Sequence, residues 1–107
     1  MNLPQTIFSG YHGANHCQGI AIDEKKGFVY YSFTTKLIKC TLDGKLVGSV
    51  DGLIGHLGCI DLNEEDGRVY GSLEFKNDQI GKWILQSLHL DSTVLQTAFY
   101  CAIFDVD

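Results

Sequence analysis

The sequence predicts an all-β chain, on three observations. Short runs either alternate apolar with polar residues or are rich in β-branched and aromatic ones, as in Gly19-Ile20-Ala21-Ile22 and Phe28-Val29-Tyr30-Tyr31, the composition of strands with one or both faces buried. Glycine-containing turn signals separate these runs at Glu24-Lys25-Lys26-Gly27, Asp43-Gly44-Lys45 and Glu64-Glu65-Asp66-Gly67, because a glycine supplies the positive φ that tight hairpin loops require. No stretch keeps a 3.6-residue apolar period between capping residues, so helices have no place in the reading.

The elements can be taken in order once an internal repeat is recognised. Residues from His16 to Phe33 lie over those from His56 to Leu73 without a gap, with identities at His16/His56, Ile20/Ile60, Glu24/Glu64, Gly27/Gly67, Val29/Val69, Tyr30/Tyr70 and Ser32/Ser72. Each copy reads as a hairpin with a four-residue loop closed by glycine. In the first copy a second hairpin follows, Leu37 to Leu42 and Leu46 to Val50 around Asp43-Gly44, the strongest short-range hairpin signal. In the second copy Leu90-Asp91 matches Leu42-Asp43 if a longer loop around residues 75–82 is inserted. Ile7-Phe8-Ser9 sits where Val47-Gly48-Ser49 sits one period later, so residues 1–10 read as the outer strand of a preceding unit. Residues 17–50 then form one unit, 57–99 the next, and 100–107, with Ala102-Ile103-Phe104-Asp105-Val106, the start of another.

Four antiparallel strands repeated about every 40 residues is the blade period of a β-propeller. The expected architecture is therefore a propeller fragment, two four-stranded meander blades with partial strands of their neighbours. Blades bury their apolar faces on one another, so two alone leave apolar faces and strand edges in water. The expected partners are the remaining blades of a longer parent chain or further copies of this one.

Composition narrows the function classes. The net charge of −5 comes with basic residues scattered along the chain, whereas phosphate backbones require a concentrated positive face, so nucleic acid is not an expected partner. No apolar run reaches the roughly 18 residues of a membrane-spanning helix. Cys17, Cys40, Cys59 and Cys101 show no paired zinc spacing and read as small buried apolar residues of a reducing, cytoplasmic setting, with a Cys17–Cys59 disulfide as the alternative.

The stretches Gly19-Ile20-Ala21-Ile22-Asp23, Gly27-Phe28-Val29-Tyr30-Tyr31-Ser32 and Gly67-Arg68-Val69-Tyr70-Gly71-Ser72 resemble the propellers of the NHL, YWTD and gluconolactonase-like group. The resemblance implies an architecture rather than an activity. Tyr30-Tyr31-Ser32-Phe33 and Tyr70-Gly71-Ser72-Leu73 depart from the Trp-Thr-Asp that defines the YWTD type.

Candidate chemistry centres on His16 and His56, which precede equivalent innermost strands. Rotational symmetry would bring both to one mouth of a central channel, with His12, Gln18 and Asp61 nearby. Converging imidazoles can hold a divalent metal or act as general acid and base; they can equally cap their strands by hydrogen bonding to a neighbouring blade. His12 and His16 are not a helical His-x-x-x-His zinc pair, since Gly13-Ala14-Asn15 between them reads as a loop. In the longer loop, Glu74, Asn77 and Asp78 are oxygen ligands without the spacing of a dedicated calcium loop, and Trp83 could stack on a sugar or pack between blades. No Gly-x-Ser-x-Gly elbow or glycine-rich phosphate loop occurs. The sequence thus favours a module that binds a small molecule, sugar or protein. Its alternatives are a lyase- or lactonase-like enzyme with a channel metal held by His16 and His56, as the His and Gln types near the axis of oligogalacturonate lyase propellers suggest by resemblance, and a two-blade sugar-binding unit that self-assembles.

Overall fold

The computed structural model describes residues 6–10, 16–75, 83, 84, 88 and 98–107. The first sheet is an antiparallel meander of β1 (Cys17–Asp23), β2 (Phe28–Phe33), β3 (Lys36–Thr41) and β4 (Leu46–Val50), in that spatial order. Each connection has a local cause. Between β1 and β2, Gly27 N donates to Asp23 O at 2.9 Å with φ +79°, and Lys26 N donates to the Asp23 carboxylate at 3.0 Å, an Asx-type closure of the turn. Between β3 and β4, Thr41 N donates to Lys45 O at 2.8 Å across Asp43-Gly44. The Thr41 hydroxyl accepts Lys45 N at 3.0 Å and bonds to the Asp43 carboxylate.

The second sheet contains β5 (His56–Asn63), β6 (Arg68–Phe75) and β7 (Ala98–Asp105), again antiparallel and in chain order. Its first hairpin reproduces that of the first sheet pair for pair. Ile20 faces Tyr31 as Ile60 faces Gly71, and Ala21 faces Tyr30 as Asp61 faces Tyr70. The register slips at the same place, between Cys17 and Gly19 and between Leu57 and Ile60. Gly67 N donates to Asn63 O at 2.8 Å, as Gly27 does to Asp23. The repeat in sequence is therefore a repeat in structure.

The third strand of the second sheet differs from the sequence expectation. Residues 98–105 do not open another unit but pair along the whole of β6, from Arg68 opposite Asp105 to Phe75 opposite Ala98. Because Phe28 faces Thr41 in the first sheet, Asp105 is the counterpart of Thr41, and β7 that of β3. The described sheet accordingly has three strands where a four-stranded unit was expected, and Leu90-Asp91 lies outside the described residues.

The two sheets stack face to face. Ala21, Tyr30 and Leu37 of the first form one core with Leu57, Ile60, Val69 and Phe104 of the second. Full burial of each larger side chain contributes about 1.5–3 kcal/mol, so this interface is the main source of cohesion between the repeats. The approach is closest at Gly19, where a Cβ would stand 2.7 Å from Gly58 O. Beside it Ser32 Oγ donates to the same carbonyl at 2.6 Å. Backbone bonds tie the margin, with Leu57 N donating to Thr34 O at 2.7 Å and Leu53 N to Thr35 O at 2.9 Å. At the other end Lys39 Nζ lies 4.1 Å above the Phe28 ring and donates to Val106 O at 2.7 Å, and Lys26 pairs with Asp107 at 3.0 Å.

The stacking is head to tail. Val69 of β6 points into the shared core, whereas its counterpart Val29 lies on the opposite face of the first sheet with Tyr31, Phe33, Ile38 and Cys40, against which Ile7 and Leu42 pack. Alternation along the strand then turns Tyr70 and Ser72 outward on the second sheet, although their counterparts Tyr30 and Ser32 are buried between the sheets. One face of the first sheet thus meets the opposite type of face on the second. All four cysteines are free, so the alternative Cys17–Cys59 disulfide is not formed; of the four expected to be buried only Cys40 is, on the inner strand β3, whereas Cys17, Cys59 and Cys101 are exposed. Among the described residues no helix is long and apolar enough to cross a membrane.

Candidate functional site

The outward face of the second sheet gathers the chemistry. Three cross-strand rows run over it. The uppermost is His56, Glu74 and Phe99, since His56 faces Glu74 and Glu74 faces Phe99. The middle row is Ser72 opposite Cys101, with Cys59 brought alongside by the slip in β5. The lowest is Asp61, Tyr70 and Ile103. Side chains directly opposite on one face stand about 4.5–5.5 Å apart at Cβ, so each row is a set of close neighbours.

Gln18 of β1 joins the uppermost row from the first sheet. With His56, Gly58, Cys59, Ser72, Glu74 and Phe99 it lines an open cavity of about 270 Å³. The slip in β5 creates the space, because it releases Gly58 and Cys59 from the regular ladder. Glycine keeps the space open: a Cβ at position 58 would stand 3.0 Å from Ser72 Oγ. The same Gly58 carbonyl receives the Ser32 bond from the first sheet, so the cavity floor is anchored in the interface between the repeats. Glu74 and His56 are half-buried, and Phe99 is 73% exposed.

A half-buried carboxylate beside an imidazole, a side-chain amide and an open aromatic ring can do two things. The polar groups accept from and donate to hydroxyl or amide groups, and the ring offers an apolar surface to a flat ligand. At the lower edge Tyr70 is turned to the hairpin, where its hydroxyl donates to the Asp66 carboxylate. That bond holds Asp66 below the usual carboxylate range and, as the largest cause, pushes the Tyr70 phenol up. A second depression lies there, lined by Asp61, Leu62, Asn63, Glu64 and Tyr70.

Compared with family models, curated proteins and solved structures, the chain matches none.

Of the residues singled out in sequence, the structure brings Gln18, His56 and Glu74 together in one cavity. Asp61 shares their face two rows away. His16 stands exposed just before β1, at the position equivalent to His56, and is not among the residues lining the cavity. His12, Asn77 and Asp78 lie outside the described residues. Among the described residues no three His, Cys, Asp or Glu side chains gather as a metal-holding group. Trp83 is partly exposed.

Sequence reasoning missed Cys59, Ser72 and Phe99. Ser72 stood out in the sequence only as the repeat partner of Ser32, and the head-to-tail stacking is what exposes one and buries the other. Phe99 carries no local signal, since only the pairing of β7 with β6 sets it beside Glu74.

Proposed function

We propose that this chain supplies two successive blades of a β-propeller and acts as a binding module for a small, neutral, polyhydroxylated ligand such as a sugar. The observation that carries the reading is the row His56–Glu74–Phe99 joined by Gln18 from the neighbouring sheet. Carboxylate and amide groups hydrogen-bond paired hydroxyls, and an open aromatic ring stacks on the apolar face of a pyranose. The propeller part of the reading is supported by the head-to-tail stacking and the common register of the repeats, which successive blades require. His56 at the mouth of β5 is its polar anchor, and Phe99 its platform.

The test is an NMR titration of the chain with a panel of neutral mono- and disaccharides. Binding is expected to move the Gln18, His56 and Phe99 resonances together, and Phe99→Ala to abolish the shifts while leaving the spectrum folded. Shifts confined to other residues, or none with any sugar of the panel, would remove the ligand assignment.

A further inference from the structure

The outward face of the second sheet divides by strand as well as by row. Phe104 of β7 points into the shared core, so alternation along the strand turns Ile103, Cys101 and Phe99 outward. Phe99 and Ile103 are 73% and 53% exposed, and Cys101 is exposed as well. An apolar stripe thus begins opposite Glu74 and runs down β7, away from the polar row of Gln18, His56 and Glu74.

A second cavity, of about 420 Å³, lies along this stripe. It shares Cys59, Ser72 and Phe99 with the polar cavity and adds Tyr100 and Cys101. The two are therefore one continuous depression with unlike halves. In the upper half Gln18, His56 and Glu74 offer hydrogen bonds. In the lower half stand two thiols, the Ser72 hydroxyl and an open ring, while the Tyr70 hydroxyl at the lower rim is donated to Asp66. Among the described residues no Lys or Arg lines either half, and Asp61 borders the lower one.

This division selects the occupant of each half. A sugar ring placed in the lower half would leave hydrogen bonds to water and regain few of them. An apolar group placed there loses nothing of that kind and covers exposed ring and thiol surface. An anionic group would meet Asp61 with no cation in the lining to offset it. Phe99 borders both halves, so one face-to-edge arrangement of rings serves a ligand that spans them.

We propose that the ligand of this face is a glycoside with an uncharged, flat aglycone, the sugar held in the upper half and an aryl group lying over Cys59, Ser72 and Cys101. This rests on the sugar-binding reading above and names the ligand class within it. The polar half fixes which sugar enters, and the apolar half supplies a second contact that a free sugar lacks.

The experiment titrates the full chain with matched methyl and phenyl glycosides of glucose, galactose and mannose, followed by NMR. Within a pair that binds, the phenyl member is expected to bind about tenfold more tightly, the gain from taking on the order of 60 Å² of apolar surface out of water. Its additional shifts should fall on Cys59 and Cys101. It should also slow chemical labelling of both thiols, with Cys17 as the exposed reference that labels as before. Cys101→Asp should remove the phenyl advantage and leave binding of the methyl glycoside in place; the thiol labelling, made on the unaltered chain, decides the matter if aspartate disturbs the strand. Equal affinities within every pair, with shifts at Gln18, His56 and Phe99, would overturn the aryl subsite and leave the sugar reading standing. Binding of no glycoside would remove both. Phenol alone protecting the thiols as strongly as the phenyl glycosides would also overturn the proposal, because the two halves would then not act on one ligand.

Discussion

Gly19→Ala is the most informative single change, because its effect is steric and local. Gly19 has no positive φ to preserve; what it supplies is room. A Cβ there would stand 2.7 Å from Gly58 O, 3.1 Å from Ser32 Oγ and 3.2 Å from Ile60 N, where ordinary contact begins at 3.4 Å. Two of these neighbours are backbone atoms of the other sheet, so the sheets themselves must part by several tenths of an ångström. Overpacking of this kind costs about 1–3 kcal/mol. Parting the sheets also weakens the Ser32–Gly58 hydrogen bond, a further loss of about 0.5–1.5 kcal/mol, so the total expected is about 1.5–4.5 kcal/mol. In a domain of this size each kcal/mol lowers Tm by about 4–8 °C. A fall of about 6 °C or more is therefore expected in a thermal melt followed by far-UV circular dichroism. Gly48→Ala is the control, since nothing lies within 4 Å of a Cβ there, and its effect should stay within about 1 kcal/mol. If the two variants melt alike, the sheets do not meet at Gly19 and the stacking is wrong.

Gly27 and Gly67 close equivalent turns at φ +79° and +71°, so alanine at either should cost about 1–2 kcal/mol, with similar and additive losses in urea titrations; a large difference between the two would mean the turns are not equivalent. The Lys26 ammonium, first through its hydrogen bond, holds the Asp107 carboxylate below its ordinary range. A group depressed on folding stabilises above its unfolded pKa and loses that contribution as pH falls through the folded value. Asp107→Asn should therefore lower Tm at neutral pH and flatten its decline below about pH 4; parallel Tm profiles for the two proteins would show that the tether is not made.

Much of the architecture is legible in sequence because its causes are local. The β1–β2 and β5–β6 hairpins follow from strand composition and glycine-closed loops, and Asp43-Gly44 places the β3–β4 turn. The repeat added what no single hairpin contains, a common register for the two sheets. It failed at β7, for a physical reason. Pairing across a long connection is decided by which strand covers the free edge of β6, and nothing in Ala102-Ile103-Phe104-Asp105-Val106 distinguishes a third strand from a first. The candidate site was legible only in part for the same reason: His56 and Gln18 stand at strand openings that the repeat locates, whereas Phe99 joins them only through the β6–β7 ladder. The face that Ser72 occupies depends on stacking direction, which no alternation pattern encodes.

The two repeats approach most closely at Gly19 and Gly58, and the stacking of the sheets stands or falls with that contact. A nuclear Overhauser spectrum of the labelled chain tests it directly. The Gly19 α-protons should show cross-peaks to the Ile60 amide proton. Gly19 α-protons that see only β1 and β2, with the Gly58–Ile60 amides silent towards the first sheet, would contradict it.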